Sequence, residues 1–297
     1  YFMLKELQIE RSILNMVPDY PIPRYTSYPT APHFKNSINS KIYSSWLNNI
    51  KSTENLSLYI HIPFCNSLCY FCGCHTTATK KYEPINRYVN FLIKEIHLIK
   101  SKINFKPKVS HIHFGGGTPS ILKPKDLKLL MDAINKKFDV HNKCEIAMEV
   151  DPRFFKIDLI KVLKKYKFNR ISIGVQDFSS IVQKNINRKQ SFKSTKDLIN
   201  SFRSYGIKNI NIDLMYGLPY QSIKSFLLTL NKVISLKPDR ISIFGYAHVP
   251  WMKKRQNLIK GEILGNKERL QLYNLASAYL ENNKYVSIGI DHYARYN

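Results

Sequence analysis

The stretch Tyr59-Ile-His-Ile-Pro-Phe-Cys-Asn-Ser-Leu-Cys-Tyr-Phe-Cys-Gly-Cys74 carries an apolar, β-rich segment directly into four closely spaced cysteines. The chain has five cysteines in 297 residues, and four of them fall within ten positions: Cys65, Cys69, Cys72 and Cys74. An odd number of cysteines with such local crowding argues against a disulfide framework. A metal or cluster site and a redox relay remain as interpretations.

The spacing Cys-x3-Cys-x2-Cys-x-Cys narrows these interpretations. Thiolates suit soft metal ions and iron–sulfur clusters. Structural zinc usually takes two pairs of ligands separated by a long loop, and the sequence has no second pair of cysteines. A compact three-cysteine loop would leave one iron of a four-iron cluster free to bind a small molecule. The spacing therefore favours a catalytic cluster over zinc or inert thiols, while Cys144 is interpreted as a small core residue.

From residue 56 onward, short β-rich runs alternate with longer runs of helical periodicity. Most β-rich runs are continuously apolar, which is typical of parallel strands buried on both faces. The alternation predicts right-handed βαβ units and a parallel sheet. The predicted strands are Leu56–Phe64, Val109–Phe114, Glu145–Val150, Arg170–Val175, Asn209–Met215, Arg240–Tyr246 and Tyr285–Ile290. The predicted helices are Tyr88–Lys100, Lys125–Phe138, Asp158–Tyr166, Thr195–Tyr205, Ile223–Leu236 and Lys267–Asn282.

The number of repeats favours an open barrel. A complete eight-unit barrel typically takes about 250 residues, whereas residues 56–290 supply six helices and six or seven strands. We therefore predict an α/β fold, an incomplete (β/α)6 TIM-like barrel, over residues 56–297. Residues 1–55 contain five prolines, so we predict an extended N-terminal arm there, followed by a short helix near Ile42–Ile50.

The composition excludes several classes of protein. Hydrophobic residues make up 44% and charged residues 23% of the chain, which excludes a disordered or collagen-like protein. No stretch approaches 18 consecutive apolar residues, so we expect no membrane-spanning helix and no membrane partner. Charged residues in the first twenty positions break any signal-peptide core. We therefore expect a cytoplasmic protein.

The net charge of +25 comes from 46 basic and 21 acidic residues. A field of this size favours anionic partners, such as nucleic acid or a polycarboxylate substrate. However, Lys, Asn and Ile crowd every segment, which is typical of compositional drift. The densest basic run, Lys161–Lys167, has four lysines in seven residues and fits one solvated helix face. We expect no nucleic-acid partner, and the charge does not decide the function.

Polar and glycine-rich segments follow six predicted strands. They are Cys65–Cys74, Gly115-Gly-Gly-Thr-Pro119, Glu149-Val-Asp-Pro152, Gln176-Asp177, Asp213–Pro219 and Tyr246-Ala-His-Val-Pro250. In barrels the active site is built at the carboxyl ends of the strands. Glycines 115–117 would let backbone N–H groups approach a bound amino acid closely, and Arg188 could clamp a carboxylate. Taken singly, each of these residues has a structural alternative, such as a tight turn, a solvated carboxylate, a surface arginine or a core phenylalanine.

The cysteine motif resembles the CxxxCxxC signature of radical S-adenosylmethionine (SAM) enzymes. Within that superfamily, the stretch from Tyr59 to Cys74 resembles oxygen-independent coproporphyrinogen III oxidases (coproporphyrinogen dehydrogenases). The added Gly73-Cys74 separates this family from related heme chaperones, which generally lack the fourth cysteine. The motifs PRYTSYPT, GGGTP, EVDPR, GVQDF, NIDLMYGLP and YAHVP extend the resemblance over about residues 20–295.

The resemblance implies a [4Fe-4S] cluster and two SAM molecules. It makes Cys65, Cys69 and Cys72 the cluster ligands, whereas Cys74 belongs to the signature without being a ligand. Positions around the cluster-bound SAM are matched by Tyr59, Gly116 and Glu149. Positions around the second SAM are matched by Phe71, Gly117, Thr118, Gln176, Arg188, Asp213 and Ala247. The four histidines His61, His111, His113 and His248 are interpreted as structural rather than as metal ligands.

The implied reaction is the oxidative decarboxylation of two propionates of coproporphyrinogen III to vinyl groups, which gives protoporphyrinogen IX in heme biosynthesis. A low-potential electron donor would reduce the cluster, and electron transfer into SAM would release a 5′-deoxyadenosyl radical that abstracts hydrogen from a propionate β-carbon. We expect the enzyme to be a monomeric oxidoreductase.

One departure from the family lies at the end of the chain. The family's helical C-terminal domain would be absent, since the sequence stops just where the predicted barrel ends. We therefore also expect that the 297-residue chain cleaves SAM slowly without completing the decarboxylation. A heme chaperone of the same superfamily is a further alternative, and Cys74 argues against it.

Overall fold

The computed structural model describes residues 33–296, and its centre is one eight-stranded sheet. The strands are β1 (Asn55–Ile62), β2 (Phe64–Cys65), β3 (Thr77–Ala78), β4 (Lys108–Gly116), β5 (Asp139–Val150), β6 (Arg170–Gln176), β7 (Asn209–Tyr216), β8 (Arg240–Gly245), β9 (Tyr285–Gly289) and β10 (His292–Arg295). The helices are α1 (Ser40–Asn48), α2 (Glu83–Ser101), α3 (Pro124–Lys137), α4 (Leu159–Lys165), α5 (Ser180–Asn185), α6 (Phe192–Ser204), α7 (Ile223–Ser235) and α8 (Asn266–Asn282).

The sheet runs in the order β1-β4-β5-β6-β7-β8-β10-β9, and its first six strands are parallel. Apolar residues on one face of these strands are buried, including Phe114, Ile173 and Ile212, which the strand register places on the same face. The opposite face carries polar residues such as Ser172 and Asn211. The expectation of strands that are apolar on both faces is therefore wrong. Helices α2, α3, α6 and α7 each bury one apolar side against the sheet. This arrangement confirms the predicted α/β fold with an incomplete barrel, because no pairing between β1 and β9 closes the sheet within residues 33–296.

Two features of the fold differ from the predicted elements. The run predicted as the last strand does not continue the parallel series, because β10 lies between β8 and β9 and pairs antiparallel with both. The short helix α5 follows β6 and was not predicted, since six residues are too few to show helical periodicity. The remaining predicted helices and strands agree with the structure to within a few residues at each end, apart from longer starts of β5 and α2.

Most of the predicted N-terminal arm, including the PRYTSYPT motif, lies outside the described residues. The predicted short helix is α1, whose N-cap residue Asn39 accepts hydrogen bonds from the N–H groups of Lys41 and Ile42. None of the α1 residues is fully buried. Among the described helices, none combines the length and apolar character needed to cross a bilayer.

Local sequence signals determine several element ends. Proline at the start of α2 and of α3 fits the first helical turn, which needs no N–H donor there. Gly206, two residues after α6, has a φ of +90°, which glycine adopts without steric cost. Because β1 and β4–β8 are parallel, their carboxyl ends lie at the same end of the sheet, where the predicted site segments also lie.

Candidate functional site

A cavity of about 250 Å³ lies at the carboxyl ends of the parallel strands. Of the thirteen predicted site residues, eleven line it: Cys65, Cys69, Phe71, Cys72, Gly116, Gly117, Thr118, Glu149, Gln176, Arg188 and Asp213. They come from five strand ends and from two loops that are far apart in sequence. The fold therefore brings together residues whose individual roles the sequence leaves open. Tyr59 and Ala247 lie outside the lining of this cavity.

The cysteine loop is fixed at both ends and in its middle. Its start, β2, pairs with β3 in a small parallel sheet of its own. In the middle, the N–H of Tyr70 donates to the carbonyl of Ile186 at 3.0 Å, and the Asn187 side chain donates to the carbonyl of Leu68 at 2.9 Å. Asn187 has a left-handed φ of 53°, which asparagine tolerates better than most residues. The loop is thus held by the turn that follows α5.

Cys65 lies between two threonine hydroxyls. Its Sγ is 3.2 Å from Thr76 Oγ1 and 3.3 Å from Thr118 Oγ1. Burial raises the pKa of the Cys65 thiol, and the two hydroxyls act in the opposite direction by stabilising the thiolate. A bound metal would replace the proton and keep these hydrogen bonds to sulfur.

Cys69 is buried and has charged neighbours. Its Sγ accepts from Arg153 Nη2 at 3.3 Å and from Arg188 Nη1 at 3.5 Å. Both arginines pair with Asp151, at 2.6 and 3.3 Å. Burial raises the pKa of Asp151, but Arg188 and Arg153 outweigh it, so the pKa lies below its usual value and the carboxylate stays charged.

Cys72 and Cys74 are hydrogen-bonded to each other through their side chains. The hydrogen bond to Cys74 and burial raise the pKa of Cys72, and the same hydrogen bond lowers the pKa of Cys74 to about 7. Cys74 is the most exposed of the four thiols. The fourth cysteine of the motif is therefore in contact with the third, although the resemblance gives it no role as a ligand.

The donor set fits a cluster better than a single ion. Within residues 33–296, no three His, Cys, Asp or Glu side chains are grouped as one metal ion would require. A four-iron cluster does not need that grouping, because each thiolate binds a different iron atom. The three thiols line one cavity, and each has a neighbour that interacts with its sulfur. Such an arrangement is suited to binding a four-iron cluster.

The glycines at the carboxyl end of β4 and directly after it pack closely against β1, β2 and the segment before β3. A Cβ added to Gly117 would lie 2.7 Å from the carbonyl oxygen of Phe64, and one added to Gly115 would lie 2.8 Å from the Tyr59 ring. The N–H of Gly117 donates to the carbonyl of Ile62, and the N–H of Gly116 donates to Glu149 Oε2. In this structure both N–H groups donate to protein oxygens, and the approach of these glycines to a bound amino acid stays a prediction. Gly117 also permits the close approach of two backbones.

Glu149 and Tyr59 form one side of the site together with two histidines. Glu149 Oε1 is 3.1 Å from His113 Nε2, and the Tyr59 ring is stacked on the His113 ring. The Tyr59 hydroxyl is 3.1 Å from His61 Nδ1. Tyr59 is 58% exposed. The two histidines thus contact predicted site residues, and their structural role stays a prediction.

The floor of the cavity is polar. Asp213 accepts from Ser172 Oγ at 2.8 Å and from Asn211 Nδ2 at 2.7 Å, and burial raises the pKa of its carboxyl group. Gln176, at the end of β6, has a φ of 68°. A left-handed conformation costs a non-glycine residue about 1–2 kcal/mol, and such strain is often found at functional sites.

Gln256 connects two of the predicted residues outside the strands. Its Nε2 donates to the carbonyls of Phe71 and Ala247, both at 3.0 Å, and its Oε1 accepts from the N–H of Val249. Gln256 is 1% exposed. It therefore fixes the distance between the cysteine loop and the segment after β8.

Asp151, Arg153, Thr76 and Gln256 were not predicted as site residues. The first two belong to the EVDPR motif at the end of a predicted strand, and this position was the one sequence feature that could have indicated a role in the site. The other two are uncharged: Thr76 lies in a loop and Gln256 in the short 3₁₀ helix Lys254–Leu258. Only the tertiary structure reveals their contacts with the cysteine loop.

The chain is similar in sequence and in fold to known proteins. Residues 59–233 match the model of the radical SAM superfamily. The chain is 45% identical over 276 residues to oxygen-independent coproporphyrinogen III oxidase from Bradyrhizobium diazoefficiens, covering 92% of this chain and 61% of the relative. It is similar in structure to coproporphyrinogen III oxidase from Escherichia coli, a radical SAM enzyme, with a TM-score of 0.86 and 39% identity over 91% of this chain and 62% of the other. The chain thus spans about three fifths of the length of these relatives.

Proposed function

The chain belongs to the radical SAM superfamily, and from that premise we propose that it catalyses the oxidative decarboxylation of two propionate side chains of coproporphyrinogen III. The products are two vinyl groups, and hence protoporphyrinogen IX. Each propionate loses a hydrogen atom from its β-carbon, then CO2 and one electron. This reaction belongs to anaerobic heme biosynthesis, and the enzyme is an oxidoreductase. The proposal is supported by the identities of 39–45% to oxidases of this name.

The superfamily uses a [4Fe-4S] cluster and SAM, and the proposed ligands of the cluster are Cys65, Cys69 and Cys72. When bound, the cluster and SAM supply the one-electron chemistry that removes hydrogen from the substrate. The single observation that carries this assignment is the convergence of all three thiols on the cavity at the strand ends. The electrons would come from a low-potential one-electron donor.

The residues around the cavity would orient the cofactors. We propose that Glu149 and Tyr59 contact the cluster-bound SAM together with Gly116, because these three lie on the β1–β4–β5 side of the site. Asp213, Gln176 and Arg188 line the cavity near the ends of β6 and β7. Together with Gly117, Thr118, Phe71 and Ala247 they are proposed to hold a second SAM. A carboxylate such as Asp213 can accept hydrogen bonds from ribose hydroxyls or an ammonium group.

The proposal is tested by anaerobic reconstitution with iron, sulfide, SAM, a reductant and coproporphyrinogen III. We expect one 5′-deoxyadenosine for each vinyl group formed. The matched control is Cys69→Ser, which should give neither product. Formation of 5′-deoxyadenosine without conversion of the porphyrinogen would contradict the proposal and support the alternative that this chain cleaves SAM without completing the decarboxylation.

A heme chaperone of the same superfamily is the second alternative. It would bind heme stoichiometrically and leave coproporphyrinogen unchanged. A heme titration in parallel with the product assay separates the two functions, because the proposed oxidase should form product and retain no heme after gel filtration.

A further inference from the structure

Cys69 differs from Cys65 and Cys72 because its thiol contacts two guanidinium groups. Arg153 Nη2 lies 3.3 Å from Sγ and Arg188 Nη1 lies 3.5 Å from it. The sulfur neighbours of the other two cysteines are uncharged hydroxyls and a thiol. Arg255 also acts on Cys72 through its charge, but among the three cysteines Cys69 is the one whose sulfur accepts hydrogen bonds from charged groups within the described residues.

Arg153 is held rigidly in this position. Its Nε and Nη2 donate to the two oxygens of Asp151, at 3.0 and 2.6 Å, and its Nη1 donates to the carbonyl of Asn187 at 3.2 Å. Its side chain is only 9% exposed. Asn187 also donates to the carbonyl of Leu68 in the cysteine loop. The same turn thus fixes both the arginine and the loop that carries Cys69.

The local charge is positive after pairing. Two guanidinium groups and one carboxylate leave a net charge of about +1 beside the sulfur, in a group of side chains that are all at least nine-tenths buried. Buried charges are screened less than exposed ones. Hydrogen bonds to the sulfurs and local charge are among the factors that set the potential of an iron–sulfur cluster, and both factors here favour the more negative, reduced state.

We propose that Arg153 is a positioning residue that raises the reduction potential of the cluster through its hydrogen bond to Cys69, with Asp151 holding its guanidinium in place. Arg188 contributes to the same positive field, but by resemblance it is also expected to contact the second SAM. A change at Arg153 therefore tests the effect on the reduction potential without removing a proposed SAM contact. The proposal rests on the cluster assigned above and is independent of the porphyrinogen substrate.

The test is a redox titration of the reconstituted cluster without SAM, followed by the EPR signal of the reduced form. We expect Arg153→Met to lower the ratio of reduced to oxidised cluster about tenfold at a fixed ambient potential, which is a shift of about 59 mV for a one-electron couple. Arg153→Lys keeps the charge and should shift the potential less. The control is Arg170→Met, because Arg170 forms a similar pair with Glu145, at 2.8 Å, at the opposite ends of the strands, and it should leave the potential unchanged.

Circular dichroism and iron content establish that each variant folds and holds the cluster. If Arg153→Met does not take up iron, Arg153→Gln replaces it, and its potential should lie below that of Arg153→Lys. Equal potentials in the wild type and in the charge-removing variant would overturn the proposal, as would equal shifts in the lysine and the neutral variants. Since no substrate is present, these outcomes do not depend on whether the protein decarboxylates coproporphyrinogen.

Discussion

At the scale of single residues, the four clustered cysteines have different surroundings although they share one loop. Cys65, Cys69 and Cys72 face the cavity with hydroxyl, guanidinium and thiol neighbours respectively. We expect Cys65→Ser, Cys69→Ser or Cys72→Ser to abolish the four-iron cluster, because a serine hydroxyl is a poor substitute for a thiolate. Cys74→Ser should retain most of the iron. Iron and sulfide analysis after reconstitution checks this, and loss of iron in Cys74→Ser together with retention in Cys72→Ser would make the ligand assignment wrong.

Gly117 offers a second prediction at this scale. A Cβ on Gly117 would lie 2.7 Å from both Phe64 O and Thr76 Oγ1, whereas one on Gly73 would meet nothing within 4 Å. Overpacking typically costs about 1–3 kcal/mol, so we expect Gly117→Ala to lower the free energy of unfolding by that amount and to reduce iron uptake. Gly73→Ala is the control and should stay within about 0.5 kcal/mol of the wild type. Urea unfolding measures both, and equal stability of the two variants would show that the loop can move away.

At the scale of secondary-structure elements, β9 is tied to the start of β8 through Tyr285. The buried Tyr285 hydroxyl donates to the carbonyl of Pro238 at 2.6 Å. Burial raises the pKa of Tyr285 to about 12 from the usual value of 10.0. Because the folded pKa exceeds the unfolded one, the contribution to stability is complete below pH 10 and is lost as the pH rises towards 12.

The variant Tyr285→Phe should therefore behave differently at neutral and at high pH. We expect it to be about 1 kcal/mol less stable near pH 7, because the hydrogen bond is lost. Between pH 10 and 12 the free energy of unfolding should fall less for this variant than for the wild type, and the difference between the two falls should be about 2 kcal/mol. Urea unfolding across this range measures the difference, which isolates Tyr285 from other buried tyrosines. A constant difference at all pH values would refute the assigned pKa.

At the scale of the whole molecule, the sheet has a middle and two edges. Strands β5, β6 and β7 are hydrogen-bonded on both sides and covered by helices, whereas β9 is paired only with β10 within the described residues and has four exposed residues out of five. Stability is distributed unevenly in such folds, and the best-packed strands open last. The candidate site lies at the ends of the stable strands, which suits a site that must hold cofactors rigidly.

Hydrogen exchange should reproduce this distribution. We expect the amides of β5–β7 to exchange only through global unfolding and those of β9 to exchange at least about a hundredfold faster, which corresponds to about 2.7 kcal/mol. Exchange followed by mass spectrometry gives the protection of each strand. Protection of β9 equal to that of β6 would mean that the sheet edge is covered in solution.

The sequence by itself determined the order of most helices and strands, the parallel arrangement and the cysteine motif, because apolar runs and ligand spacing are local properties. It also placed the site residues at strand ends, since the topology of βαβ units forces these ends to one side. Only the tertiary structure decided the direction of β10, the contact between Cys72 and Cys74, and the group of Asp151, Arg153 and Arg188 around Cys69. These depend on pairs of residues up to 119 positions apart, and their energies arise from burial and charge pairing that no local pattern records.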